Sequence, residues 1–150
     1  MLIPHVVQTE ADKVFVNILN VQASSVTDGE AVVWDTGTPD GVRATQAVTA
    51  TLGLFIGLVD GTIAASAYGL AQAYGYKASA VVTSDTVTAA MVAGSCLIPL
   101  EETDALQVSV TGAASYVAQG TNGVGFCYLA EALTDTGDVQ TGKKVFVRAL

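Results

Sequence analysis

The chain has 150 residues and a mass of 15.3 kDa, of which 51% are hydrophobic and only 13% charged, with a formal net charge of -8. That length suits one domain that buries about two-thirds of its unfolded surface, so no disulfide or metal staple is required. The acidic balance repels phosphate backbones, no apolar run reaches the roughly 18 residues of a membrane span, and the first residues lack the basic region and apolar core of a signal peptide. Nucleic acid, membrane and secretion are therefore all disfavoured, and use in a cytoplasm, or in particles assembled there, is expected.

Residues 1–13 (MLIPHVVQTEADK) read as an extended arm, because Pro4 has no amide donor and the segment has no clean period. Residues 14–150 read as a single β-rich domain. Its first element is a strand, or a short helix, over residues 14–21 (VFVNILNV), followed by the turn signal Thr27-Asp28-Gly29. Residues 30–34 (EAVVW) and 42–48 (VRATQAV) flank the dense turn chemistry of residues 35–41, which predicts a β-hairpin.

The tract 52–82 is punctuated by glycine and holds only two charges, Asp60 and Lys77. It supplies three strand candidates, 54–59, 69–74 and 76–82, with Asp60-Gly61 as a tight turn. Gly57 and Gly75 sit inside apolar runs, where glycine marks a bulge, a barrel corner or the close approach of another backbone. Residues 86–92 are where a helical turn competes with a strand. Residues 96–100 are strand-like, with Pro99 marking an edge or an end.

Glu101, Glu102 and Asp104 form an acidic stretch expected to be a solvated turn, and 106–110 (LQVSV) alternates like a half-buried strand. Further strand candidates are 125–133 and 144–149, with turns at 120–123 and 134–142. Many short strands separated by Gly and Asp turns argue for an antiparallel sandwich or barrel. A surface so poor in charge is expected to be covered in part by neighbouring subunits.

No stretch carries conventional catalytic chemistry. Residues 137–143 (GDVQTGK) satisfy the spacing GxxxxGK of a phosphate-binding loop, but Lys144 stands where Ser or Thr should meet magnesium, and the residues that follow are β-branched rather than helical. A hairpin turn is the expectation there. The single histidine, His5, lies in the arm, so a Ser-His-Asp arrangement has no fixed base. The acidic stretch lacks the glycine-spaced ligands of calcium loops, and Cys96 and Cys127 show no zinc spacing and are expected as free thiols. No catalytic residue, metal or cofactor is assigned, and the chain is not expected to be an enzyme. Trp34, Tyr68, Tyr74 and Tyr76 are the side chains able to anchor an interface, or alternatively to fill a core or stack on a sugar.

Residues 57–66 (GLVDGTIAAS), 68–76 (YGLAQAYGY) and 93–100 (AGSCLIPL) together resemble the decoration or cement proteins of tailed-bacteriophage heads, and 125–133 and 143–150 fit the same pattern. The resemblance implies a β-sandwich or barrel-like body of the β-tulip type, with at most a short helix and an extended N-terminal arm. It further implies a homotrimer at three-fold positions on the outer surface of an assembled capsid, with the major capsid protein and the chain itself as partners. Ile3, Pro4 and His5 of the arm, with Trp34, Tyr68, Tyr74 and Tyr76, are the candidate contacts. A tail-tube, neck or head-fibre protein and a carbohydrate-binding β-domain are the alternatives.

Overall fold

The computed structural model describes residues 13–83, 92–100, 103–108, 126–132 and 139–149. Among the described residues nine strands follow one another: β1 Val14–Asn20, β2 Ala31–Trp34, β3 Arg43–Thr45, β4 Phe55–Asp60, β5 Tyr68–Thr83, β6 Cys96–Pro99, β7 Leu106–Val108, β8 Cys127–Leu129 and β9 Val139–Arg148. A 3-10 helix, Thr49–Leu54, precedes β4. The runs rich in Val, Ile and aromatic residues fall in strands because such side chains pack well on a pleated surface. The protein is mainly β.

The pairing closes two rings. In the first, β1 pairs with β3, β3 with β2, β2 with β4, β4 with β5, and β5 returns to β1. In the second, β5 pairs with β7, β7 with β6, β6 with β8, β8 with β9, and β9 returns to β5. Closure leaves few unpaired strand edges, which is how barrels avoid edge-to-edge association. Most pairs are antiparallel, but β1–β3 and β5–β7 are parallel, so the sheet is mixed.

β5 is the shared wall. Tyr68 to Tyr74 face β1, while Tyr74 to Thr83 face β9. The two strands expected at 69–74 and 76–82 are thus one strand of 16 residues, which passes through Gly75 at φ 102° and keeps its register there with Val147. The register shifts lie further on, between Lys77 and Ala80 and between Ala80 and Val82. At the change of partners, the buried Gln72 side chain donates to the carbonyls of Tyr74 and Tyr76 at 3.2 and 3.0 Å.

Two large apolar cores result, with a small third one of Val33, Ala47 and Leu52 beside the 3-10 helix. Ile18, Val26, Val32, Ala44, Ile56, Val59, Ile63 and Ala71 fill the first ring. Ala80, Val82, Leu97, Leu106, Cys127, Leu129, Val145 and Val147 fill the second, together with Ala31, Phe55 and Leu58 from the back of β2 and β4. Neighbouring residues of β2 and β4 therefore serve different cores, Ala31, Phe55 and Leu58 one and Val32, Ile56 and Val59 the other, which is why AVV and FIGLV read as unbroken apolar runs.

Glycine permits the closeness. A Cβ on Gly57 would meet the backbone of β5 at Gln72, and one on Gly29, where φ is +84°, would lie 2.7 Å from the carbonyl carbon of Ser79. Gly29 also donates its amide to the Val59 carbonyl at 2.9 Å and accepts from the Val81 amide at 3.0 Å. Its turn is pinned between β4 and the far half of β5.

Several expectations are corrected. β7 is not half-buried: Gln107 is enclosed along with Leu106, because β7 lies between β5 and β6. Within the GxxxxGK stretch residues 139–143 are strand and not turn, since β9 begins at Val139 and pairs Val139, Gln140 and Lys143 with β5. Asp104 is not freely solvated; it is drawn inward by the amides of Gln22 and Gln46. Pro99 ends β6 but not at an edge, since β6 is flanked by β7 and β8. Residues 1–12 of the expected arm and nearly all of the helical candidate at 86–92 lie outside the described residues, as do Glu101 and Glu102.

Candidate functional site

Three features of the first ring present chemistry at its surface. The first is an apolar strip on β1 and β5. Alternation turns Ile18 inward, fully buried, and Phe15, Asn17 and Leu19 outward. Across the ladder, Leu70 stands opposite Asn17 and Tyr68 opposite Leu19. Phe15, Tyr68 and Leu70 are 40%, 64% and 45% exposed, and Val14 at the start of β1 is 41% exposed. Scattered apolar side chains on a surface need no explanation, but a row across two paired strands is a contiguous patch.

The second feature is a cleft of about 430 Å³ lined by Trp34, Asp35, Thr36, Pro39, Gly41, Arg43 and Leu54. Trp34 ends β2 opposite Ala44 and packs against the first core, so its indole is held from behind. The loop beyond it is folded on its own side chains. Asp35 accepts from the Gly37 amide at 2.9 Å, and Asp40 accepts from the amides of Val42 and Arg43 at 3.0 Å. Arg43 donates Nε to Asp35 Oδ2 at 3.1 Å. The Gly37 amide and then the Arg43 guanidinium hold the Asp35 carboxyl below its ordinary range.

The third is an ion triad. The Lys77 Nζ lies 2.9 Å from Asp28 Oδ1 and 2.9 Å from Asp60 Oδ1. Lys77 is 5% exposed, whereas the two carboxylates are 41% and 46% exposed. The stem is buried in the sheet and the charge is delivered to the rim, as long basic side chains do. Burial pushes the Asp28 carboxyl up, but hydrogen bonds from Ser79, from the Gly61 amide and from Lys77 outweigh it and hold it below its ordinary value. This triad ties the Asp28 turn, the end of β4 and the middle of β5 together.

The candidate contacts are thus dispersed. Tyr68 lies on the open strip. Trp34 lines the cleft. Tyr74 and Tyr76 share a face of β5 and are half-buried, and Tyr74 meets Phe146 edge-on with ring centroids 5.3 Å apart. Ile3, Pro4 and His5 lie outside the described residues. Sequence reading missed Phe15 and Leu70, whose outward facing is set by the β1–β5 register, and Arg43, the one basic residue of its strand. It noted Lys77 and Asp60 as the two charges of an apolar tract, and their opposite signs were the signal that they pair.

Both cysteines are free, and burial pushes the Cys127 thiol far above its ordinary range. Among the described residues, no three His, Cys, Asp or Glu side chains come together as a metal site, and no helix is long and apolar enough to cross a membrane. No protein-family profile matches the chain, and no curated protein matches it significantly.

Proposed function

We propose that this chain is a virion structural protein that binds the outer surface of an assembled phage capsid and stabilises it, as a homotrimer with the major capsid protein as partner. The observation that carries this reading is the exposed strip of Phe15, Tyr68 and Leu70. The strip begins at Val14 and Phe15, the first residues of β1. An apolar row next to charge-poor sheet suits burial against another protein surface. A protein that binds assembled shell in preference to free subunits stabilises the shell by mass action, and three linked contacts make a modest affinity strong. No reaction is required of it.

The test is co-sedimentation of the purified chain with emptied shells of the phage that encodes it, alongside light scattering of the free chain. Wild type is expected to sediment with shells and to scatter as an oligomer. The double variant Phe15→Ser, Leu70→Ser is expected to lose at least about tenfold in shell binding. Its thermal midpoint is expected to move little, because both residues are exposed. A monomer with no affinity for shells would overturn the reading.

A further inference from the structure

We infer that the cleft beneath Trp34 is a binding site for a neutral hexopyranose, a terminal sugar of a surface glycan. Its volume of about 430 Å³ falls within the range of small-molecule sites and exceeds what one sugar ring fills. A pyranose has an apolar face of C–H groups and a rim of hydroxyls that both donate and accept. The cleft offers the complement of each.

Trp34 supplies the flat apolar surface, held by its packing against the first core, with Pro39 and Leu54 completing the walls. The hydroxyl partners are Asp35 and Arg43. Asp35 Oδ2 accepts from Arg43 Nε at 3.1 Å and Oδ1 from the Gly37 amide at 2.9 Å, and the carboxylate, which also draws on the Thr38 amide, keeps acceptor capacity for one more hydroxyl. Arg43 uses Nε on Asp35, so its terminal nitrogens remain as donors at the cleft rim. Donor and acceptor already neutralise one another, which suits an uncharged ligand. They are also positioned before binding, since Asp40 clamps the amides of Val42 and Arg43 at 3.0 Å, so little ordering is lost on association.

Competing ligands fit less well. Grooves for proline-rich peptides are lined by several aromatic rings, and this cleft has one. Nucleotides and acidic sugars meet a chain of net charge -8. The cleft shares no residue with the strip of Phe15, Tyr68 and Leu70, so the inference stands apart from shell binding.

The chain has one tryptophan, so Trp34 fluorescence reports on the cleft directly. The experiment titrates the free full-length chain with methyl glucoside, methyl galactoside, methyl mannoside and N-acetylglucosamine, followed by that fluorescence and by amide chemical shifts. At least one sugar is expected to give a saturable change with shifts confined to residues 34–43 and 54. Arg43→Gln is expected to weaken it about tenfold, the worth of a charge-assisted hydrogen bond. Because Trp34→Ala also disturbs the core, Leu54→Asp serves as the second blocking variant. No saturable change with any of the sugars, shifts lying elsewhere, or binding of a polyproline peptide in place of the sugars would each overturn the inference.

Discussion

The two rings share β5 but differ in what they do with their polar residues. Three of the four ion pairs among the described residues, Arg43–Asp35, Lys77–Asp28 and Lys77–Asp60, lie on the first ring or join it to the second. So do the buried Asn20, whose amide donates to the carbonyls of Ser24, Ile63 and Ala64, and the Asp104 carboxylate that receives Gln22 and Gln46. The second ring is filled by Leu97, Leu106, Leu129, Val82, Val145 and Val147, and its fourth ion pair, Lys144–Glu131, is long at 3.8 Å. Apolar packing is non-directional, whereas hydrogen bonds and ion pairs fix loops in one geometry. The first ring thus holds its surface loops in one geometry, and the second, apart from the enclosed Thr83 and Gln107, supplies an apolar body against which they are braced.

The sharpest way to break this division is at Gly29, where the Asp28 turn of the first ring is pinned to the far half of β5. A Cβ there would collide with the Ser79 carbonyl, and φ of +84° is unfavourable for any L side chain. Neither strand can yield, because Gly29 is bonded to Val59 on one side and Val81 on the other. Gly29→Ala is expected to cost about 3 kcal/mol or more. For a chain of this size that lowers the thermal midpoint by about 6 °C or more, read by calorimetry. A midpoint near wild type would show that the rings are not rigidly joined at this turn.

A smaller effect is expected at Lys77. Lys77→Met keeps the buried stem and removes the charge, and the two carboxylates, being partly exposed, rehydrate. The cost is therefore about 1–2 kcal/mol rather than the larger penalty of stranding a buried ion. The sign with pH follows from Asp28. Its folded pKa is depressed below 3.8, so its contribution is present above 3.8 and is lost as pH falls through the folded value. Without Lys77 part of the depression disappears, so the gap between variant and wild type is expected to narrow below pH 3.8 in denaturant titrations. A gap independent of pH would mean that the Asp28 carboxylate gains nothing from the Lys77 charge.

Local pattern shows where strands lie but not how they close. The β2–β3 hairpin was legible because turn residues 35–41 separate two β-branched runs, and β4 because an apolar run stops at Asp60-Gly61. Gly75 misled, since a glycine inside an apolar run marks a break as readily as it marks a crowded point in one long strand. The parallel β1–β3 and β5–β7 contacts join segments 24 or more residues apart, beyond the reach of any local signal. The cleft was half legible: Trp34 stood out as an aromatic, but Asp35 and Arg43 become partners only once the hairpin folds back and brings them to 3.1 Å.

The weakest of these effects tests whether first-ring polar contacts serve geometry at a cost in stability. Burial is the main influence on the Asp104 carboxyl and raises its pKa; the Gln22 hydrogen bond opposes this, and the Glu30 charge adds to it. A carboxyl whose folded pKa lies above 3.8 favours folding when protonated. Its favourable contribution is therefore full below 3.8, declines as pH rises through the folded value, and leaves a penalty at neutral pH. Asp104→Asn removes that penalty while its carbonyl still accepts from Gln22 or Gln46. The group is only partly buried, so the expected gain at pH 7 is small, a rise of about 2 °C or less in thermal midpoint. The advantage should vanish at pH 3, where wild-type Asp104 is protonated as well. A variant less stable than wild type at pH 7 would mean that the charged carboxylate, by accepting both Gln22 at 3.2 Å and Gln46 at 3.4 Å, contributes more to holding the first ring's loops than its desolvation removes.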